Sequence, residues 1–284
     1  MLAALAIALA AVAVLGWLIL GPVLRQRRRD AARRTPLPPG VLASIERNVP
    51  GLARLPDGLR RRLDGLVNAF LQEKHFFGCN GLTVTDEIRA TIAAQACLLI
   101  LGRPGSLYDE LHSILVYPTP FWVDEEVEDE AGVVSRHRRV LSGQAWDSSR
   151  IILSWEDIAE TAEYPGAGYN LVLHEFAHYL DAEGRGLAPA ADGTGPRPLD
   201  RWTAALGEEF ELLLEALERG EHTFLDPYAA EDEAEFFAVA TEEYLERPGE
   251  LLAEHPRLYR LMQDFYGLDP AAWVAGPRPG LSPA

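Results

Sequence analysis

The chain has 284 residues, 48% of them hydrophobic, which allows one large domain or two small ones around a sizeable core. Its formal net charge is −17, but the first 34 residues hold six arginines and one aspartate, a net of +5, which leaves −22 for the rest. So acidic a body should repel polyanions, which excludes the nucleic-acid-binding classes.

Leu2 to Leu24 carries no charged side chain and is long enough to cross a bilayer core of about 30 Å at about 1.5 Å per residue. Arg25-Gln26-Arg27-Arg28-Arg29 follows it directly, and no basic residue precedes it. The pattern predicts one transmembrane helix over residues 1–24, placed in the inner membrane with the rest of the chain facing the cytoplasm. A cleaved signal peptide is the competing reading, without an obvious small-x-small cleavage site to support it. Residues 25–40, basic and then Pro-rich, read as a linker whose arginines can rest on anionic headgroups.

The soluble domain is expected over 41–275. Leu59, Leu63, Leu66, Val67, Phe70 and Leu71 predict a helix from Asp57, stopped at Gly78. Thr85-Asp86-Glu87 opens a second helix, ended by Gly102. Ile114–Tyr117, Phe121–Val123, Arg139–Trp146 and Arg150–Trp155 read as strands of a small sheet. The acidic run Asp124–Glu130 reads as a solvated loop. Cys79 and Cys97 form no metal or disulfide pattern and read as reduced thiols. After a Gly-, Ala- and Pro-rich loop at 182–198, helices are predicted from Asp200 to about Arg219, over about 231–246 and over about 256–266. Residues 276–284 read as a disordered tail.

The chemistry concentrates in Asn170–Asp181, NLVLHEFAHYLD. His174 and His178 lie four apart, so on a helix they project from nearly the same face and can grip one ion. Glu175 stands about 100° round, within reach of a water on that ion. Two neutral imidazoles suit zinc, and the carboxylate suits a general base. The remaining residues are apolar nearly all round, so the helix should be buried. Two core histidines satisfied by hydrogen bonds would be the bland alternative.

A catalytic zinc normally takes three protein ligands and keeps one position open. The pattern with a third histidine on the same segment would need Gly at 181 and His at 184; the chain has Asp181 and Gly184. The third ligand is therefore sought on the 231–246 helix. Glu235 precedes the apolar run Phe236–Val239, and a buried carboxylate there needs a partner to offset its desolvation. Glu242, two turns further on the same face, is the alternative, or else a supporting carboxylate. Asp181 is placed either to orient an imidazole or as a plain exposed helix-end acid.

Several blocks of the chain resemble the MtfA (Mlc titration factor A) family of zinc-dependent peptidases. They are EKHFFGCNGL at Glu73–Leu82, IAAQACLLILG at Ile92–Gly102, GQAW at Gly143–Trp146, ILSW at Ile152–Trp155, GYNLVLHEFAH at Gly168–His178 and AEFFAV at Ala234–Val239. The family's catalytic core is similar to that of anthrax lethal factor, a gluzincin-type metallopeptidase. The resemblance implies an α+β, mainly helical zincin-like domain with a small sheet and one zinc per chain. It implies Glu235 as third ligand beside His174 and His178, with Glu175 and Tyr228 as catalytic groups, the tyrosine standing seven residues before the ligand. Peptide or protein substrates follow, with strand Arg150–Trp155 expected to offer them an edge. Family members are described as aminopeptidases and as proteins that sequester a transcriptional regulator. A membrane-tethered binding protein with incidental catalysis is accordingly the rival function, its regulatory partner unknown. The N-terminal apolar run departs from the soluble family pattern.

Overall fold

The computed structural model describes residues 20–274, apart from 104, 106, 129–133, 142, 148 and 187–197. Among the described residues no helix is long and apolar enough to cross a membrane. Apart from residues 20–24, the expected anchor lies outside them, as does the expected tail.

The chain folds around a four-stranded sheet flanked by helices. Helix α1 covers 20–34, α2 Pro39–Asn48 and α3 Asp57–Glu73. Strand β1, His75–Gly78, leads to α4, Asp86–Leu99, and β2, Ser113–Tyr117. Strands β3 (Phe121–Glu128) and β4 (Val134–Leu141) form a separate antiparallel pair. Strands β5 (Gly143–Asp147) and β6 (Arg150–Ser154) complete the main sheet, in the order β1-β2-β6-β5. The first three of these are parallel, and β5 runs antiparallel to β6. Then come α5 (Trp155–Glu163), α6 (Leu171–Gly186), α7 (Pro198–Glu218), a short 3₁₀ turn (Pro227–Ala230) and α8 (Glu233–Glu246). Helices α9 (Pro248–Glu254), α10 (Pro256–Tyr266) and α11 (Pro270–Val274) close the fold.

The helix starts follow from local chemistry. Thr85 accepts the Ile88 N–H at 3.3 Å and opens α4, where Asp86 and Glu87 sit favourably at the positive end of the dipole. The apolar back of α6 is buried in an aromatic cluster. Phe176 meets Tyr108 at 4.9 Å and Phe70 at 6.1 Å between ring centroids, and Tyr179 meets Tyr108 at 5.3 Å. Helix α8 packs along α6 and buries Phe236, Phe237 and Tyr244 on its far side.

Several expectations are corrected. Residues 25–34 are no linker: they are part of α1, which lies against α3. Arg29 turns inward and grips Glu73 with two bonds of 2.6 Å, and also reaches Asp109. The Asn68 amide donates to the carbonyls of Ala32 and Thr35, both at 2.9 Å. The helices meet at Gly65, where a Cβ would stand 2.7 Å from the Arg33 carbonyl oxygen, so no larger residue fits without a shift. The domain thus includes α1 and α2, not only the residues from 41 onward.

Residues 124–128 of the acidic run are strand rather than loop. Their register sets Asp124 opposite Arg138 and Glu126 opposite Arg136, a strand pairing that the local sequence of one strand does not reveal. The stretch 139–146 is split between β4 and β5. Strand β6 lies between β2 and β5, so it offers no free edge; the edge on that side of the sheet belongs to β5. Helix α6 runs to Gly186, into the stretch 182–198 that the composition reads as a loop. Cys97 is buried and Cys79 half-buried, and both are free thiols.

Candidate metal centre

Three short polar caps set the site. Asn170 Oδ1 accepts the Leu173 N–H at 3.1 Å, and its carbonyl accepts the His174 N–H at 2.9 Å, which starts α6. Asp226 Oδ1 accepts the Tyr228 N–H at 2.8 Å and starts the 3₁₀ turn. Asp232 Oδ1 accepts the N–H groups of Ala234 and Glu235 at 2.7 and 2.9 Å and starts α8. His174, Tyr228 and Glu235 therefore each sit within four residues of a cap, where the backbone has least freedom.

The α6–α8 packing brings His174, His178 and Glu235 together. The two Nε2 atoms are 3.1 Å apart, and Glu235 Oε2 lies 3.0 Å from that of His174 and 3.5 Å from that of His178. Ligands about 2.0–2.1 Å from a tetrahedral ion stand about 3.3 Å from one another, close to this triangle. Glu235 Oε2 is buried and finds no hydrogen-bond partner of proper geometry among the described residues. An orphaned carboxylate oxygen beside two imidazole nitrogens is costly unless a cation completes it. The residues present fit a metal ion: two nitrogens and one oxygen converge on one point.

Glu242 stands on the other side of His174. Its Oε1 is 2.7 Å from His174 Nδ1, and its Oε2 accepts the Asn170 N–H. Asp181 is half-buried on α6, and its charge bears on the Tyr266 hydroxyl, which burial chiefly pushes up. Between the two carboxylates weighed as imidazole supports, the geometry gives that place to Glu242. Its signal in the sequence was the seven-residue spacing from Glu235, two turns along one face of a buried helix. Asn170 reads in the sequence only as a helix start, although it is the residue through which Glu242 is held.

The electrostatics are those of a crowded carboxylate site. Burial lowers the His174 imidazolium's stability, but Glu235 and Glu242 on either side outweigh it and raise its pKa to about 10 without metal. Burial pushes the Glu235 carboxyl up, yet the two imidazoles hold it well below the usual carboxylate range. Glu175 is 5% exposed, and desolvation lifts its carboxyl to about 7, against the pull of His174 and His178. Glu242 is also pushed up by burial, with His174 opposing.

A cavity of about 640 Å³ opens beside the cluster, lined by His174, Glu175, Tyr228, Phe224 and Arg247 among others. Tyr228 is 42% exposed, with its ring centroid 6.1 Å from that of His174. At the far wall, Arg247 pairs with the buried Glu243 and lies over the Phe224 ring at 4.5 Å. Gly168, with φ +86°, lets the loop before α6 press on that pair: a Cβ there would stand 2.6 Å from Glu243 Oε1 and 2.7 Å from Arg247 Nε.

A histidine pair on a buried helix and a glutamate from a second helix thus form a possible metal-ligand set beside a cavity. The comparison with known families agrees and is specific. The model of the glucose-regulated metallo-peptidase M90 family matches residues 23–267, and the chain belongs to that family. The match takes in most of α1, consistent with its place in the domain. The chain is 39% identical over 237 residues to an uncharacterized protein of Synechocystis sp., covering 83% of this chain and 86% of that one. It is 36% identical over 227 residues to the Mlc titration factor A of Pectobacterium atrosepticum, covering 79% and 85%. Against the protein of the same name from Klebsiella pneumoniae it is 35% identical over 224 residues, covering 78% and 84%.

Proposed function

We propose that the protein is a zinc-dependent peptidase in which Glu175 is the general base and acid. The observation that carries this is a buried carboxyl, not itself part of the His174–His178–Glu235 triangle, poised near neutrality on the wall of the cavity. Zinc suits the donor set, two imidazoles and one carboxylate, and when bound it acidifies a water and polarises the scissile carbonyl. Glu175 takes up a proton at its carboxylate and returns it to the departing amine, and the burial that raises its carboxyl makes it a better base for the first of these steps. Glu242 accepts the Nδ1 proton of His174, which fixes the tautomer and leaves Nε2 for the ion. The Tyr228 hydroxyl donates to the oxyanion that develops as the carbonyl is attacked. The substrate is a peptide or protein segment. The protein is tethered by residues 2–24 to the inner membrane with the catalytic domain in the cytoplasm.

The test is zinc content together with cleavage of a peptide library, run on wild type and Glu175→Gln. Zinc of about one per chain in both, with turnover reduced ~10²-fold or more in the variant, supports the reading. No cleavage by the wild type, or equal cleavage by the variant, replaces it with a regulator-binding role for the same cavity.

A further inference from the structure

A second cavity lies on the opposite side of the start of α6. It measures about 210 Å³, below the roughly 300–1,000 Å³ of sites for drug-sized ligands, so it has room for one small molecule and no peptide. Its chemistry is divided. Leu55, Leu98 and Trp273 supply an apolar body. Gln95, 2% exposed, lines the cavity and leaves its side-chain oxygen without a hydrogen-bond partner among the described residues. A buried acceptor of that kind costs free energy until a donor meets it. Glu246 lines the same space. Its two oxygens accept one bond each, from Asn170 Nδ2 at 2.9 Å and Gly166 N at 3.0 Å, and a carboxylate has capacity for two more. Arg54, exposed at the rim, has no carboxylate partner among the described residues.

Two acceptors, one of them charged, an unpaired guanidinium and an apolar wall suit a molecule with an ammonium, a carboxylate and a hydrocarbon side chain. We propose that this cavity is a binding site for a free apolar α-amino acid. The ammonium meets Gln95 Oε1 and Glu246, the carboxylate meets Arg54, and the side chain packs on Leu98 and Trp273. Glu246 is also the residue that holds the Asn170 amide, and the Asn170 N–H meets Glu242 behind His174, so the two cavities share one polar wall. A role in sensing the enzyme's own products rests on the peptidase reading; the binding itself does not.

The experiment titrates L-leucine into the full-length, metal-loaded protein by calorimetry, beside 3-methylbutylamine and 4-methylpentanoate, which each lack one charged end. A ligand of so few atoms binds at about 0.1–1 mM. Leucine should bind once per chain, and both analogues should be weaker by ~10-fold or more, the scale of a lost hydrogen bond to a charged group. Arg54→Ala, on the surface, and Gln95→Leu, in the core, should each weaken leucine by a similar factor, whereas Glu175→Gln should leave it unchanged. Absence of binding would show a cavity that holds water only. Equal binding of the analogues, or binding indifferent to Arg54→Ala, would place leucine in the catalytic cavity and overturn the assignment.

Discussion

Among the described residues, two clusters of buried charge invite comparison, one closed and one open. Between α1, α3 and the loop before β2, Arg29 and Lys74 face Glu73 and Asp109, two cations against two anions. Arg29 binds Glu73 bidentately, and Lys74 spends its three protons on Glu73 at 3.2 Å and the carbonyls of Tyr108 and Leu111 at 2.5 and 2.8 Å. Every charge there has its answer within the chain. Between α6 and α8, three carboxylates crowd two imidazoles, and Glu235 Oε2 has the two imidazole nitrogens at 3.0 and 3.5 Å but no hydrogen bond of proper geometry among the described residues. Balanced ions fasten elements together, whereas converging donors of one excess sign fit a cation from outside.

The largest expected effect comes from removing a member of the open cluster. Glu235→Ala and His178→Ala should lose most of the bound zinc and with it all measurable turnover, checked by metal analysis of purified protein. Full occupancy in Glu235→Ala would mean that the third ligand lies elsewhere. The closed cluster should respond in the opposite sense. Arg29→Ala takes the guanidinium from Glu73, which keeps only Lys74, and from Asp109, and should cost about 3 kcal/mol, the lower end for a broken buried pair because Asp109 is half exposed. A fall in Tm of about 10 °C follows, with zinc content unchanged. Its acid limb should also flatten. Burial pushes the Glu73 carboxyl up but Arg29 outweighs it and holds the folded pKa below 4.5, so the stability is present above that value and lost as pH falls through the folded one. A wild-type acid limb in the variant would contradict this.

A smaller change leaves both clusters intact. Tyr228→Phe keeps the ring and removes one oxyanion donor, so turnover should fall of the order of 10²-fold at unchanged zinc content. The smallest signal is one proton. Without metal the His174 pKa is raised to about 10, so its charged form stabilises the fold below its ordinary value, and that contribution is lost as pH rises through about 10. At about pH 8.5, above the Glu175 value of about 7, zinc should therefore displace roughly one proton from His174 Nε2. Calorimetry in buffers of different ionisation heat measures it, and a count near zero would contradict the raised value.

The sequence carries the catalytic helix well because its information is local. Four-residue spacing fixes the relation of His174 to His178, and Asn170, Asp226 and Asp232 advertise their turns by residue type. Glu242 is harder to assign, because its spacing says which face it shares with Glu235 but not that α6 passes between them with His174 in the gap. Strand β1 is hidden for the same reason: four residues, His75–Gly78, become strand only by lying beside β2. The α1 reading fails for a physical reason too. An arginine-rich stretch followed by prolines looks solvated, and nothing in it shows that one guanidinium of the five between Arg25 and Arg33 turns inward to Glu73. The acidic run misleads likewise, since it becomes strand only beside a partner strand that begins at Val134.

The docking of α1 has a consequence for reach. Nine residues of continuous helix separate Leu20 from Arg29, a rise of about 14 Å. With residues 2–24 in a bilayer, as proposed, the protein is bolted to the lipid rather than tethered by a leash. Its cleavage site could then sweep no wide volume of cytoplasm. Substrates would have to come to a fixed height above the headgroups, so that encounter would depend on sideways travel in the plane of the membrane. Proteins displaying a loose segment close to that plane would meet the site far more often than equally cleavable chains in bulk solution.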